Sequence, residues 1–418
     1  MKKLTTLVAL MAVGLVLNAQ TLNVQSAISD LQRSNKTTKA KEKTSYLTKA
    51  KTYIDQACEH EQTKADAKTW CYKGLIYSQI GDEAKKGNTK LAELAPDWCD
   101  KTYEAAMRCK ELDKTNEFSE QNNQVFKFIG AEFLNRAYDF YNNDQNYAET
   151  RKLAELSISI YNNAGASEDA DEAYYIAGRA ALQMKDTAAV KDYFSKLVGH
   201  KTNKNFVYRT LFNIYKTEKD NTKALSVANK YVKNQPNDYN ADLLMAEGYF
   251  LNQNIEKGKE MLEKALNKTK EKPEIYAQIL CQAAATLELN QDFTGAEARY
   301  KESLAIQPSQ FLANYGMAKM IFNRAVDKFN ESTAVPLDDE TGLADKLSDE
   351  GKDLFRATIP YFSAGINYID GLTDENAKAM NKANLYQCLT ALKSVYARLE
   401  MYDELKPINA RLSTFQNN

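Results

Sequence analysis

The chain is poor in residues that break helices and in residues that commonly carry catalysis. It contains 7 prolines, 16 glycines, 2 histidines and 2 tryptophans among 418 residues. Folds built from strands and turns use proline and glycine more heavily, so this scarcity argues against an all-β protein. Alanine, lysine, leucine and glutamate are abundant instead, and all four have high helix propensity. We therefore expect an almost entirely helical protein.

Patterns that specify catalytic or metal sites are equally scarce. The two histidines, His60 and His200, lie far apart in charged or polar surroundings. No H-E-x-x-H, C-x2-C, G-x-S-x-G or G-x4-G-K-[ST] pattern occurs. The densest acidic cluster, Asp338-Asp339-Glu340, lacks the alternation of acids and glycine found in calcium loops. We predict surface histidines, a solvated acidic run, and no catalytic, cofactor or metal-binding residue.

The N-terminus has the pattern of a secretory signal peptide. Met1-Lys2-Lys3 precedes an apolar run from Leu4 to Leu17, and Ala19-Gln20 follows. A basic start, a short apolar stretch and a small residue at the exit are the marks of such a signal. The run is shorter than the roughly 20 residues that span a bilayer. We predict cleavage after Ala19, export to the periplasm and no membrane insertion, and a eukaryotic secretory route stays open.

Charge is nearly balanced, with 55 basic and 56 acidic residues. Loss of Lys2 and Lys3 with the signal leaves a net charge near −3. Nucleic-acid binding proteins carry a basic face, and anionic membranes attract basic segments. The balance therefore argues against a nucleic-acid partner and against electrostatic binding to lipid.

A 34-residue echo is the most informative pattern in the chain. The segment Val207–Pro236 reappears, altered but in register, from Ala241 onward. Three positions show the 34-residue spacing. They are Tyr208, Leu211 and Tyr215 in the first copy, and Asp242, Met245 and Tyr249 in the second. A fixed period of this length indicates stacked helix pairs, since one pair cannot bury its apolar face alone.

These repeats resemble the tetratricopeptide repeat, whose helices read W-x2-L-G-x2-Y and A-x3-F-x2-A, often followed by proline. First-helix matches are Trp70, Gly74 and Tyr77 (with Lys73 replacing leucine), then Phe126, Ile129, Gly130 and Phe133, and then Tyr174, Ala177 and Gly178. Second-helix matches are Ala50, Ile54 and Ala57, then Ala296, Tyr300 and Pro308, and then Ala357, Tyr361 and Ala364. Small residues at one level let two helices approach closely, and an aromatic ring fills the adjoining space.

The resemblance implies an all-α, right-handed superhelical solenoid of eight or nine antiparallel helix pairs. We expect a signal peptide over 1–19, irregular repeats over 20–120, regular repeats over 121–310, and a C-terminal region over 311–418. Finer expectations are an expanded loop at Gly81–Pro96, long helices at Phe311–Ser332 and Ala344–Ile369 around the loop Thr333–Leu343, and a capping pair at Asn376–Glu400 and Tyr402–Phe415.

The resemblance also implies a binding surface. In this family, positions 2, 5, 9 and 12 of each first helix face a concave groove in which peptide segments bind. The corresponding residues of this chain are Tyr175, Arg179, Arg209, Asn213, Lys216, Asn240, Leu243, Glu247, Phe250, Tyr315, Lys319 and Phe322. Aromatic side chains mixed with arginine, lysine and asparagine suit protein recognition. An ordinary hydrated groove would have the same composition.

Six cysteines form an even set, which indicates disulfides in an oxidising compartment. Cys71 begins a predicted first helix and Cys109 ends its partner, and such ends adjoin in an antiparallel pair. We predict a Cys71–Cys109 disulfide, with Cys71–Cys58 as the alternative. Cys281 and Cys388 stand in apolar helical stretches and are expected to be buried thiols.

The function predicted from these observations is that of an exported scaffold rather than an enzyme. It would bind a protein or peptide in its groove, in envelope assembly or secretion, without a cofactor. Two alternatives stay open: an α-helical envelope enzyme such as a polymer hydrolase, and a structural spacer without a defined ligand.

Overall fold

A computed structural model describes residues 22–336 and 341–416, and these form α-helices without a β-strand. The chain divides into two compact units, Met1–Val207 and Tyr208–Asn418. The predicted all-α class is therefore confirmed. The expected signal peptide and the acidic cluster Asp338-Asp339-Glu340 lie outside the described residues.

Unit 1 is a succession of helices, most of which pack on the helix that follows in the chain. Its helices are α1 (22–36), α2 (Ala40–Glu59), α3 (Ala67–Lys85), α4 (Thr89–Leu94), α5 (Trp98–Leu112), α6 (Ser119–Asp139), α7 (Tyr147–Asn163), α8 (Asp171–Gln183) and α9 (Thr187–Gly199). A π-helical turn, Phe140–Asp144, extends α6. The boundary between the units falls within α10 (Asn205–Thr217).

Unit 2 continues the same arrangement with longer helices toward its end. After α10 come α11 (Asn221–Asn234), α12 (Tyr239–Leu251), α13 (Ile255–Thr269), α14 (Pro273–Leu289), α15 (Phe293–Ile306), α16 (Phe311–Ala334), α17 (Leu343–Asp370), α18 (Glu375–Met380), α19 (Lys382–Arg398) and α20 (Tyr402–Gln416). The two predicted long helices are confirmed as α16 and α17, which pack against each other along their length.

The helix starts reproduce the period read from the sequence. The first helices α8, α10, α12 and α14 begin at Asp171, Asn205, Tyr239 and Pro273, each one full repeat period after the one before. The second helices α9, α11 and α13 begin at Thr187, Asn221 and Ile255, with the same spacing. The period therefore belongs to whole helix pairs, as expected for stacked repeats.

A two-residue turn motif connects the first and second helices of the pairs α8–α9, α10–α11 and α12–α13. Its first residue has a left-handed backbone, with φ of 59° at Lys185, 60° at Lys219 and 59° at Gln253. The next residue is Asp186, Asp220 or Asn254, whose side chain accepts a hydrogen bond from the N–H three residues later and caps the second helix. Such a cap contributes about 1 kcal/mol. This regular signal lies in polar residues that the repeat consensus does not mark.

Adjacent helices approach each other closely where a glycine on one helix contacts an aromatic ring on the other. A Cβ atom added to Gly178 would lie 2.2 Å from Cε1 of Phe194, which is fully buried. One added to Gly316 would lie 2.3 Å from Cζ of Tyr300. A methyl group does not fit at either distance, so these rings occupy the space that the missing side chains leave. The consensus positions assigned to Gly178 and Tyr300 are thus core contacts.

Three local expectations are wrong. The loop expected at Gly81–Pro96 is mostly helical, because Asn88 caps α4 and Leu91 is fully buried there. The second-helix match at Ala357, Tyr361 and Ala364 is out of phase by one residue, since Thr358, Phe362 and Gly365 face the core instead. The helix expected over Asn376–Glu400 is interrupted at Asn381, which separates α18 from α19.

We expect Gly178→Ala to lower the free energy of unfolding by about 1–3 kcal/mol, the usual cost of overpacking a filled core. Gly199→Ala is the matched control, because no atom lies within 4 Å of its added Cβ. That control should be neutral or slightly stabilising, by up to about 1 kcal/mol. Urea unfolding followed by circular dichroism measures both, and equal stability of the two variants would contradict the close contact.

Candidate functional site

Three first helices of unit 2 line one cleft of about 170 Å³. Its residues are Arg209 and Asn213 from α10, Leu243, Leu244 and Glu247 from α12, and Gln282 and Thr286 from α14. Four of them, Arg209, Asn213, Leu243 and Glu247, belong to the surface predicted from the sequence. We call this set of seven residues the groove.

The groove follows from helix geometry. On each helix its residues include a pair four positions apart, and such pairs lie on one helix face. Leu243 and Glu247 stand one repeat period after Arg209 and Asn213, so the repeat places equivalent faces side by side. Gln282 and Thr286 extend the strip onto α14, where the sequence analysis named no residue.

Hydrogen-bonding capacity in the groove is only partly used. Lys216 binds Glu247 at 2.5 Å. By contrast, the side chains of Arg209, Asn213 and Gln282 form no hydrogen bond or ion pair with another residue in the described part of the chain. A guanidinium and two amides are therefore available to a ligand, and the half-buried Leu243 supplies apolar contact between them.

The polar and charged side chains beside the groove form ion pairs and hydrogen bonds within the protein. Asp242 is only 2% exposed and pairs with Lys268, which also donates to the Pro236 carbonyl oxygen at 2.6 Å. Burial raises the pKa of Asp242, and Lys268 opposes that rise. The predicted surface residue Asn240 donates from both its backbone and its side-chain nitrogen to Asp238, the cap of α12. Asn240 therefore stabilises the start of α12.

The assignment of Phe250 to an accessible groove is wrong. Its side chain is 7% exposed, and Cε1 lies 2.6 Å from the position of a Cβ on Gly258. Lys216, one period earlier, is exposed, and the residue that corresponds to Gly258 in its repeat is Ala224. Because Gly258 leaves space between α12 and α13, the Phe250 ring turns inward and fills it.

The three predicted residues of α16 contribute mainly to packing. Tyr315 stacks on Phe311 with ring centroids 5.9 Å apart, and Phe322 makes an edge contact with Phe355 at 5.1 Å. Lys319 is exposed and binds Glu288 at 2.6 Å. Phe322 therefore belongs to the α16–α17 interface, and of the three only Lys319 is exposed, with 46% of its side chain accessible to solvent.

The two predicted residues of unit 1 form a separate aromatic cluster. The Arg179 guanidinium carbon lies 4.8 Å from the ring centre of Tyr141 and 5.8 Å from that of Tyr175. Tyr141 comes from the π-helical turn after α6, a feature common at functional sites. Lys204 lies 4.4 Å above the Tyr175 ring. This cluster is described by itself, since it lies in the other unit from the groove.

A second cleft in unit 2 was not predicted. It has a volume of about 380 Å³ and is lined by Glu288, Phe293, Met320, Asn323, Arg324, Val326 and Asp327. Phe293 is 50% exposed and neighbouring Leu289 is 85% exposed. The repeat pattern did not predict this cleft, because α16 begins later than one repeat period after the start of α14. Equivalent positions on the two helices therefore cannot be assigned by counting the period.

The cysteines carry free thiols. Cys71 and Cys109 are buried, and the neighbouring Cys109 thiol together with burial raises the pKa of Cys71. Cys58 instead faces the charges of Lys73 and Asp55, and burial raises its pKa to about 11. The Cys71–Cys109 disulfide and its alternative, Cys71–Cys58, both stay predictions. Cys281 and Cys388 are buried, as expected.

Within the described residues, no group of three or more His, Cys, Asp or Glu side chains is arranged to hold a metal ion. No helix in the described ranges is long and apolar enough to cross a membrane. His200 is exposed and pairs with Asp171 at 2.6 Å. That contact fixes the loop after α9 to the start of α8.

No family model matches the chain. No curated protein matches it either. Similar solved structures include YrrB, described as a TPR protein with an unusual peptide-binding site, at 19% identity over 43% of this chain and 88% of that chain, with a TM-score of 0.32. PilF of Pseudomonas aeruginosa shares 14% identity over 72% and 98% of the two chains, with a TM-score of 0.23. A human IFIT1 dimer with m7Gppp-AAAA shares 14% over 96% and 95%, with a TM-score of 0.31. These scores are too low to support any conclusion about a ligand.

Burial separates the predicted surface residues into two classes with different expected behaviour. Phe250→Ala should lower the free energy of unfolding by about 3–5 kcal/mol, because it removes a buried ring and leaves a cavity. Asn213→Ala should change it by no more than about 0.5 kcal/mol, since Asn213 is exposed. Chemical unfolding of both variants measures the difference, and a stable Phe250→Ala protein would restore this residue to the accessible surface.

Proposed function

We propose that this protein is a binding scaffold that holds an extended peptide segment of a partner protein in the groove of α10, α12 and α14. The observation that carries the proposal is the convergence of residues from three successive first helices on one cleft. Two of those helices contribute pairs related by the repeat period. The site is thus a property of the repeat and not of a single helix.

The groove chemistry suits a polypeptide. An extended peptide presents backbone N–H and C=O groups, and the Asn213 and Gln282 amides can each donate to and accept from them. Arg209 offers paired donors to a carbonyl oxygen or a carboxylate. Leu243, which is half-buried, can contact an apolar side chain between these polar groups. Binding sites for drug-sized molecules occupy about 300–1,000 Å³, so a 170 Å³ cleft fits one section of a longer chain better.

Preformed helices favour this mode of binding. Arg209 and Asn213 stand on α10, Leu243 and Glu247 on α12, and all four project from continuous helix rather than from loops. A rigid site avoids much of the entropy cost of ordering residues upon association. The partner segment then carries most of that cost, which is compatible with reversible binding.

The proposed setting is the bacterial envelope, with a role in assembly or secretion. Its support is the N-terminal sequence, where the basic start, the apolar run Leu4–Leu17 and Ala19 have the order of a signal peptide. The binding proposal does not depend on this location. A spacer without a ligand and an envelope enzyme are the competing functions, and the peptide-selection experiment below distinguishes the spacer.

Peptides selected from a random phage-displayed library against the full chain should lose affinity when the groove is altered. Arg209→Ala combined with Asn213→Ala should raise Kd at least tenfold, because one contact of about 1.4 kcal/mol corresponds to a factor of ten. Isothermal titration calorimetry measures Kd, and circular dichroism checks that helicity is retained.

Lys230→Ala is the matched control for this experiment. Lys230 is exposed on α11, the second helix of the pair, and does not line the groove. Its replacement should leave Kd unchanged. Equal affinity of the double variant and the control would place the site elsewhere, and failure to select any peptide would favour the spacer.

Expression of the full chain in a bacterial host should yield an exported protein that begins at Gln20. The apolar run ends beside the small residue Ala19, where signal peptidases cleave. Intact mass and N-terminal sequencing of the envelope fraction measure the cleavage. A chain that retains Met1 and stays in the cytosol would contradict export while leaving the peptide-binding proposal intact.

A further inference from the structure

The helices α3 and α5 pack antiparallel in a register that two contacts define independently. A Cβ on Gly74 would lie 3.8 Å from the Ala105 Cβ, and one on Gly81 would lie 2.1 Å from the Trp98 ring. Moving seven residues forward along α3 therefore corresponds to moving seven residues back along α5. One helical turn is about 3.6 residues, so contacts recur every three or four positions along this face.

The same register sets two cysteines opposite each other. Cys71 lies three residues before Gly74 on α3, and Cys109 lies four residues after Ala105 on α5. Both steps equal about one turn in opposite chain directions, so the two thiols reach the same level on facing sides. Cys71 is 1% exposed and Cys109 is fully buried. The pKa of Cys71 is raised chiefly by the Cys109 thiol, as expected for two thiols at one level of this register.

We infer that Cys71 and Cys109 are a disulfide-forming pair that links α3 to α5 when the chain folds in the presence of a disulfide oxidant. The thiolate of one cysteine attacks the oxidant disulfide, forms a mixed disulfide and releases one thiolate of the oxidant. The second cysteine, as its thiolate, then attacks the protein sulfur of that mixed disulfide and displaces the other oxidant thiolate. Two protein thiols lose two electrons and two protons, and the oxidant gains two thiols.

Burial determines when the bond forms and when it breaks. The folded pair is shielded from solvent, and the raised pKa of Cys71 leaves little thiolate to react. Oxidation therefore occurs while α3 and α5 are still coming together, and it is slow once they have packed. The same shielding protects the finished disulfide from reductants in solution, so the bond behaves as a permanent structural link.

The link would hold the most irregular part of unit 1. Cys71 and Cys109 lie on different helices, and the short helix α4 and its turns come between them in the sequence. Cross-linking residues across a loop of this length restricts the unfolded chain strongly. In an array where each helix pair contacts only its neighbours, fixing one pair also limits fraying of the helices that pack on it.

The test uses the full chain, unfolded in urea under reducing conditions and refolded in a mixture of reduced and oxidised glutathione. Refolded, helical protein is isolated, free thiols are alkylated in denaturant without reduction, and peptides are mapped by mass spectrometry. A peptide linking Cys71 to Cys109, with the other four cysteines alkylated, is the expected result. Alkylation of both Cys71 and Cys109, or linkage of either to another cysteine, would overturn the inference.

Two comparisons separate a specific link from general thiol chemistry. Cys99→Ala is the matched control, because Cys99 is equally buried on α5 but lies outside this register, and the linked peptide should persist in it. The oxidised protein should melt about 5 °C or more above Cys71→Ala. Dithiothreitol should reduce the link only after denaturant is added, whereas rapid reduction of the native protein would contradict its burial. None of these outcomes depends on peptide binding.

Discussion

The close approach of two helices at a residue without a side chain is the contact on which the rest of this structure depends. Gly178 admits Phe194, Gly258 admits Phe250, and Gly316 admits Tyr300. Each ring is buried at a helix interface and fixes how far apart the two helices lie. Because interiors pack at the density of organic crystals, such a contact tolerates little change in volume. For the groove helix α12, the Gly258–Phe250 contact sets the distance to α13.

Sequence periodicity was sufficient to predict the pairs and their length, but it did not determine the rotation of every helix. The starts of α8, α10, α12 and α14 recur at the repeat period, and the groove unites Arg209 with Leu243 and Asn213 with Glu247 at the same interval. These agreements arise because stacking forces equivalent faces into alignment. Where a repeat is regular, a consensus position therefore identifies a place in space.

The errors share a physical origin in neighbouring helices. Lys216 and Phe250 are equivalent by period, yet one is exposed and the other buried. The charged Lys216 stays in solvent beside Glu247, whereas the apolar Phe250 ring packs into the space that Gly258 leaves on α13. The one-residue error at Thr358 and Phe362 arises in α17, where Phe362 packs against Phe322 of α16. The α16–α17 interface follows its own ring contacts rather than the repeat consensus.

Electrostatic pairing explains why the groove is a better binding candidate than the other predicted surface residues. Lys319 forms an ion pair with Glu288, and Lys216 forms one with Glu247. Asn240 donates its side-chain hydrogen bond to Asp238. Arg209 keeps its guanidinium without an acidic partner among the described residues, although Glu247 lines the same cleft. Glu247, the carboxylate of the same cleft, is paired with Lys216. In the proposed binding mode, a ligand carboxylate or carbonyl oxygen would contact the Arg209 guanidinium, next to the Asn213 and Gln282 amides.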